Sequence, residues 1–150
     1  MIKILCVGKI KEQYFRDAIN EYLKRISKYT KIEIIEIPDN SFDIKKTLKE
    51  EYNGLMKYYN KSDYNIILDI GGVEMDSVSF ANKMNNILVE NSNITFIIGG
   101  SYGVLEELKK ECNMRLSFSK LTFPHQLFRI VLLEQIYRSF KINHHEEYHK

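Results

Sequence analysis

At residues 94–103 the sequence reads Ile-Thr-Phe-Ile-Ile-Gly-Gly-Ser-Tyr-Gly, an apolar run that leads directly into a cluster of glycines. The run shows little alternation between apolar and polar residues, which is typical of a strand covered on both faces of a sheet. Similar runs predict strands at Ile2–Val7, Lys31–Ile37, Asn65–Ile70 and, more briefly, near Arg115–Ser117. Residues 94–98 are therefore predicted to form one strand of a parallel sheet.

Amphipathic helices are predicted between these strands, because apolar residues recur there every three or four positions. The first covers residues 14–26, the second 44–59, the third 78–88, the fourth 104–111 and the fifth about 125–142. Asp76 and Ser77 are candidate capping residues for the third helix. Five strand–helix units predict an α/β fold, with a mostly parallel sheet of five or six strands and helices on both faces. Residues 1–150 contain no linker, which predicts a single domain.

The composition is typical of a globular intracellular protein. The chain has 150 residues, of which 44% are hydrophobic, and a formal net charge of +2. This length supplies a hydrophobic core without disulfides, and two cysteines form no disulfide framework, which favours a reducing compartment. The sequence has no visible signal peptide and no apolar run of the ~18 residues that span a bilayer. We therefore expect a cytoplasmic protein that makes no membrane contact.

The small net charge conceals an uneven distribution along the chain. Residues 1–31 hold eight basic and three acidic side chains, residues 32–112 hold eight and fourteen, and residues 113–150 hold six and three. If the fold brings the two basic ends together, they form a patch suited to a polyanion. Ordinary surface charge is an equally good interpretation of the same distribution.

Glycines follow two of the predicted strands at the points where ligands bind in parallel sheets. Five of the seven glycines lie between residues 71 and 103, in the pair Gly71-Gly72 and in the segment 99–103. Ligands bind beyond the carboxyl ends of such strands, and glycine lets the backbone approach a ligand closely. These two loops and residues 118–125 are predicted to form one pocket; tight turns are the alternative explanation. The fingerprints of classical NAD and ATP sites are absent.

The fifth helix is apolar around most of its circumference. Leucine, isoleucine, valine and aromatic residues recur from Leu127 to Phe140 on nearly every side. A helix of this kind needs partners on two faces. It is either a central core helix or a subunit interface, and the second interpretation predicts a homodimer.

The last residues admit three interpretations. His145-Glu146-Glu147-Tyr148-His149 matches H-E-x-x-H, the helical zinc motif of metallohydrolases. Only Lys150 follows it, so the motif has no downstream third ligand, and chain ends fray. In the second interpretation the tail is a solvated end of the chain. In the third it contacts RNA and takes part in catalysis. We favour the last interpretation and expect no metal.

Five motifs, in order along the whole chain, resemble those of a known family. They are Val-Gly-Lys-Ile-Lys-Glu (7–12), Ile-Ile-Gly-Gly-Ser-Tyr-Gly (97–103), Leu-Ser-Phe-Ser-Lys-Leu-Thr-Phe-Pro-His-Gln (116–126), Glu-Gln-Ile-Tyr-Arg (134–138) and the terminal Tyr-His-Lys. They resemble the RlmH family of bacterial 23S ribosomal RNA (pseudouridine-1915-N3) methyltransferases, small members of the SPOUT class. The block at 116–126 is highly specific.

The resemblance implies S-adenosylmethionine as the cofactor, a homodimer and a trefoil knot in the C-terminal half. Generic topology rules argue against a knot, so only the resemblance predicts it. Carried over by position, the cofactor contacts are Leu68, Gly99, Phe118, Ser119, Lys120, Leu121, Thr122 and Phe123. The sequence departs from the expected pattern at Gly71 and Val73 and ends in Lys150 rather than arginine.

The implied reaction methylates N3 of a pseudouridine in 23S ribosomal RNA of the assembled ribosome. N3 carries an imide proton, so we expect a general base. His149 with Tyr148, supplied by the partner subunit, is the first candidate, and His125 is the second. The basic N-terminal third and the tail are expected to contact RNA phosphates. A zinc hydrolase and a ribosome-binding module without activity are the competing functions.

Overall fold

Five β-strands alternate with five α-helices along residues 1–150, all of which this computed structural model describes. The predicted α/β alternation is therefore confirmed. The strands are β1 (Ile2–Val7), β2 (Ile32–Ile37), β3 (Tyr64–Glu74), β4 (Ile94–Ile98) and β5 (Met114–Ser117). The helices are α1 (Gln13–Ile26), α2 (Ile44–Met56), α3 (Ser77–Glu90), α4 (Glu106–Glu111) and α5 (His125–Asn143). None of these helices is long and apolar enough to cross a lipid bilayer.

The strands form one five-stranded sheet in the order β2-β1-β4-β3-β5. Every neighbouring pair of strands is parallel. All five carboxyl ends therefore meet at one edge of the sheet, where α/β proteins place their ligands. The number of strands, five, agrees with the prediction of five or six.

Helices cover both faces of the sheet because successive strand residues point to opposite sides. Ile4 of β1 and Phe96 of β4 are fully buried in the larger core, which α1, α3 and α5 cover. Their neighbours Leu5 and Ile97 are fully buried in a smaller core under α2 and α4. Each such side chain contributes about 1.5–3 kcal/mol by leaving water. Both faces of the sheet are thus apolar, which explains the lack of alternation in the strand sequences.

Strand β3 is longer than the sequence predicts. It continues past Ile70 to Glu74, so the predicted loop at Gly71-Gly72 is wrong. The register with β5 shifts between Leu68 and Val73, which marks a bulge in β3. A Cβ atom on Gly72 would lie 2.6 Å from the backbone carbonyl carbon of Arg115, so only glycine fits at this position. Gly71 and Gly72 line a separate surface hollow beside Arg115.

Helix α5 lies between α1 and α3 against the sheet. Leu132, Leu133 and Ile136 are fully buried, so the core-helix interpretation accounts for much of its apolar surface. Leu127 remains 38% exposed near the start of the helix. The homodimer that the apolar circumference suggested stays a prediction.

Candidate functional site

A cleft of about 290 Å³ opens at the carboxyl edge of the sheet, and we refer to it as the edge cleft. The middle of β3, the carboxyl ends of β4 and β5 with the loops that follow them, and the first turn of α5 form its walls. Seven of the eight predicted cofactor residues line it: Leu68, Gly99, Phe118, Ser119, Leu121, Thr122 and Phe123. The eighth, Lys120, is exposed and lies outside the lining. His125 also lines the edge cleft.

The glycine segment after β4 forms one wall as a tight turn. The backbone N–H of Gly103 donates to the carbonyl of Gly100 at 3.0 Å, and Gly103 has a φ of +79°. A Cβ atom on Gly99 would lie 2.6 Å from the carbonyl oxygen of Gly103. The turn itself therefore requires two of the glycines, as the tight-turn explanation predicts, and its backbone faces the cleft.

A buried carboxyl group supports this turn from the other side. A Cβ atom on Gly100 would lie 2.7 Å from Oε1 of Glu51, a residue of α2 that is 5% exposed. Burial raises the pKa of Glu51 to about 7, and the nearby Asp39 adds to the rise. Sequence reasoning missed Glu51, because nothing in the pattern of α2 indicates contact with a loop about fifty residues away.

Aromatic rings and two serines organise the opposite wall. The rings of Phe118 and Phe128 meet edge to face with centroids 5.2 Å apart, and Phe123 lies 5.6 Å from Phe128. The Ser117 hydroxyl donates to the Ser119 carbonyl at 3.0 Å, and the Ser119 hydroxyl accepts from the backbone N–H of residue 121 at 3.0 Å. These contacts fix the 118–123 loop with apolar rings and main-chain polar groups at the cleft.

Asp69 brings a charge to the cleft that sequence reasoning did not single out. Its carboxylate is bound by Arg115 and lies 3.4 Å from Nζ of Lys109. Burial alone would raise the pKa of Asp69, but the hydrogen bond from Arg115 and the charge of Lys109 outweigh it and lower that pKa. The sequence did offer one indication of Asp69: it follows the apolar run of β3, and residues in that position border ligand sites in parallel sheets.

His125 is the one histidine that lines the edge cleft. Burial lowers the pKa of its imidazole, and the positive charge of Arg129, one turn along α5, lowers it further. The ring is therefore neutral at pH 7, with a free lone pair on one nitrogen.

The tail, residues 144–150, packs against α5 of its own chain. The hydroxyl of Tyr148 donates to Oε1 of Glu134 at 3.1 Å, and Nη1 of Arg138 lies 3.1 Å from Nδ1 of His149. The Arg138 guanidinium also lies 4.7 Å from the ring centre of Tyr148. Burial and the bond to Glu134 raise the pKa of Tyr148 to about 12, so its phenol stays protonated at neutral pH.

His149 reaches a second cleft of about 450 Å³, the tail cleft, which lies beside the first. The two clefts share the Leu116–Phe118 segment and Phe123. Within a single chain, the structure thus groups His125 with the predicted cofactor residues and places His149 in the neighbouring cleft.

The tail lacks the geometry of the helical zinc motif. Helix α5 ends at Asn143, and His145 has a φ of 55°, which breaks the helical path. The carboxylate of Glu146 accepts hydrogen bonds from Lys141 at 2.7 Å and from Tyr29 at 3.0 Å. No three His, Cys, Asp or Glu side chains are grouped to hold a metal ion. The two histidines therefore do not share a helical face.

Comparison with known proteins agrees with this fold over nearly the whole chain. Residues 1–149 match the family described as "Predicted SPOUT methyltransferase". The chain is 45% identical to the ribosomal RNA large subunit methyltransferase H of Malacoplasma penetrans, with 99% of each protein covered. It is 46% identical to the protein of the same name from Caldicellulosiruptor saccharolyticus, with 100% of each covered.

A solved structure supports the fold independently. The tRNA (m1G37) methyltransferase from Aquifex aeolicus matches with a TM-score of 0.54, over 91% of this chain and 69% of that one, at 16% identity. That identity shows a common fold alone. The parallel sheet and the match to the family model together define a methyltransferase of the SPOUT class. The chain belongs to the SPOUT methyltransferase family, and its full-length similarity to the methyltransferase H proteins confirms the resemblance found in the sequence.

Proposed function

We propose that this protein transfers a methyl group from S-adenosylmethionine to N3 of a pseudouridine in 23S ribosomal RNA, in the cytoplasm. The observation that carries the proposal is the edge cleft, around which seven of the eight expected cofactor residues lie. The names of the relatives supply the substrate class, ribosomal RNA of the large subunit. The expected homodimer and trefoil knot are part of the same proposal.

The edge cleft has the chemistry that this cofactor needs. Its volume of about 290 Å³ is near the lower end of the ~300–1,000 Å³ common for small-molecule sites. The aromatic wall of Phe118, Phe123 and Phe128 suits a purine ring. The backbone of residues 99–103 and the Ser117 and Ser119 hydroxyls provide polar groups for a ribose and an amino acid. When bound, S-adenosylmethionine supplies a methyl group already activated on a sulfonium.

The chain itself then has two tasks, to orient the base and to receive a proton. Orientation in a closed site is worth up to ~7–11 kcal/mol in favourable cases. We assign the proton from N3 to His125, because its imidazole lines the edge cleft and is neutral at pH 7. A positioned base adds ~10²–10⁴-fold to the rate.

His149 with Tyr148 is the alternative base, supplied by the partner subunit. A guanidinium only donates hydrogen bonds, so Nδ1 of His149 accepts from Arg138 and the ring proton lies on Nε2. In this docked position the acceptor nitrogen of His149 is engaged by Arg138. The alternative therefore requires the tail to leave Arg138 before it reaches the other cleft.

The direct test is methyl transfer from labelled S-adenosylmethionine to ribosomes that lack the modification, with nucleoside mass spectrometry of the product. We expect N3-methylpseudouridine in the large-subunit RNA. Cofactor binding without transfer to this RNA would contradict the substrate assignment. Absence of cofactor binding would contradict the site itself. Light scattering at micromolar concentration tests the dimer, and a monomeric mass would contradict it.

Two variants separate the candidate bases. For His125→Ala we expect a fall in turnover of about 10²-fold or more, with cofactor affinity within a few fold of the wild type. The lowered pKa of His125 places the rise of turnover with pH below pH 6.5, and that rise should disappear in this variant. If His149→Ala instead removes the rise while His125→Ala retains it, the tail histidine is the base.

A further inference from the structure

A third cleft, of about 530 Å³, is lined by the β1–α1 loop, α1, β2 and Arg129 of α5, and we call it the basic cleft. Four cationic side chains and one carboxylate line it: Lys9, Lys11, Arg16, Arg129 and Glu36. Its remaining lining is apolar except for Asn20. The proposed methyl transfer assigns no role to this cleft.

The floor of the basic cleft is a fixed network. Nη1 of Arg129, which is 2% exposed, donates to Oε2 of Glu36 at 2.8 Å, and Nη2 donates to the Gly8 carbonyl at 3.2 Å. The backbone N–H of Ile10 donates to the same Glu36 oxygen at 3.0 Å. Nε of Arg129 is buried and has no hydrogen-bond partner. The carboxylate of Glu36 is thus already compensated by Arg129.

The rim of the basic cleft therefore has a net positive charge. Lys9 and Lys11 are exposed, and neither belongs to any of the ion pairs of the structure. Arg16 uses Nε and Nη2 to hold the Ile10 carbonyl, at 3.2 and 2.9 Å, which leaves its Nη1 edge for a ligand. Two lysines of the β1–α1 loop and Arg16 of α1 thus offer unused donors around one cleft, which matches the needs of a phosphate group.

The basic cleft is linked directly to the edge cleft. The backbone N–H of Lys11 donates to Oε1 of Gln126 at 3.0 Å, in the first turn of α5. Arg129 lies four residues after His125, about 6 Å along the helix axis. An RNA whose target base meets the cofactor at the mouth of the edge cleft would therefore pass the Lys9–Lys11 loop with neighbouring phosphates.

We infer that the basic cleft holds backbone phosphates of the substrate RNA next to the nucleotide that is methylated. This inference rests on the proposed function. The inference assigns phosphate contacts to particular residues of the basic N-terminal third. Lys9, Lys11 and Arg16 contact phosphate. Arg129 and Glu36 hold the β1–α1 loop that carries the two lysines.

The test compares Lys9→Gln/Lys11→Gln with the matched control Lys45→Gln/Lys49→Gln. The control removes two equally exposed lysines from α2, on the opposite face of the sheet. Binding to ribosomes that lack the modification is measured between 50 and 200 mM KCl at constant Mg²⁺. Loss of two phosphate contacts should reduce the slope of log affinity against log salt by about 1.4–1.8 and weaken low-salt binding about tenfold. Lys9→Arg/Lys11→Arg should restore both.

Cofactor affinity, measured separately, should be the same in all variants. If the Lys9/Lys11 variant binds ribosomes with the affinity and salt slope of the control, the inference is wrong, and wild-type methyl transfer then still supports the proposed function. If the wild type binds ribosomes and the variant does not, but no transfer occurs, the phosphate site stands and the reaction is wrong.

Discussion

The edge cleft and the C-terminal tail both contain residues expected to act in the reaction, but different forces hold them. The glycine turn of the cleft depends on backbone packing, since a Cβ atom on Gly99 would lie 2.6 Å from a carbonyl oxygen. The tail depends on polar contacts between partly exposed side chains, such as Tyr148 with Glu134 and Glu146 with Lys141. Contacts of that kind between exposed side chains are weak, because water and salt screen them. The cleft is therefore preorganised, whereas the tail is free to rearrange when RNA or a second subunit binds.

Filling the glycine turn after β4 should have the largest effect. Gly99→Val should weaken cofactor binding about 5- to 150-fold, because overpacking costs about 1–3 kcal/mol and each 1.4 kcal/mol is tenfold in affinity. Isothermal titration calorimetry with S-adenosylmethionine measures the loss. Gly71→Ala is the matched control, since its Cβ atom would make only ordinary contacts of 3.5 Å. Equal affinities in the two variants would show that the turn does not shape the cleft.

A smaller effect is expected at Glu51, which lies beside the same glycine turn. The pKa of its carboxyl is about 7 in the folded protein, against 4.5 in the unfolded chain. Between these pH values the folded state holds the extra proton, so the free energy of unfolding falls as pH rises from 4.5 to 7. Glu51→Gln should remove about 2 kcal/mol of this fall.

Urea denaturation at pH 5 and pH 8 measures this pH dependence. The control is Glu50→Gln, a neighbouring exposed position on α2 that should retain the wild-type slope. A wild-type slope in Glu51→Gln would mean that the carboxyl beside Gly100 titrates as an ordinary surface group.

The smallest effect is expected in the tail. Tyr148→Phe removes the hydrogen bond to Glu134 and should lower the free energy of unfolding by less than about 1 kcal/mol. Amide hydrogen exchange at residues 144–150 should nevertheless become several times faster. Tyr14→Phe, at a side chain 65% exposed on α1, is the control. A fall in the free energy of unfolding well above about 1 kcal/mol would contradict the view that the tail is weakly held.

Local sequence patterns predicted most of the fold but not its long-range contacts. Apolar runs and helical periodicity located all five strands and helices, because both depend on neighbouring residues. The loop predicted at Gly71-Gly72 was wrong, because the bulge arises from the register of β3 with Arg115 and Leu116 on another strand.

The sequence likewise predicted some features of the site and not others. The segments after β4 and β5 were predicted to meet, since parallel strands bring their carboxyl ends together, and their residues line one cleft. The contact between Glu51 and Gly100 links distant parts of the chain. The hydrogen bond from Tyr148 to Glu134 depends on the directions of the two side chains. Neither has a local signal in the sequence.

We propose that S-adenosylmethionine binds in the edge cleft. Titration of the cofactor into uniformly ¹⁵N-labelled protein, followed by amide chemical shifts, tests it most directly. We predict that the largest shifts occur at Gly99, Gly103, Ser119 and Leu121, with little change along α2 away from Glu51. Largest shifts around Lys9 and Arg129, or around Met75 and Gln135, would locate the cofactor in another cleft and contradict the account.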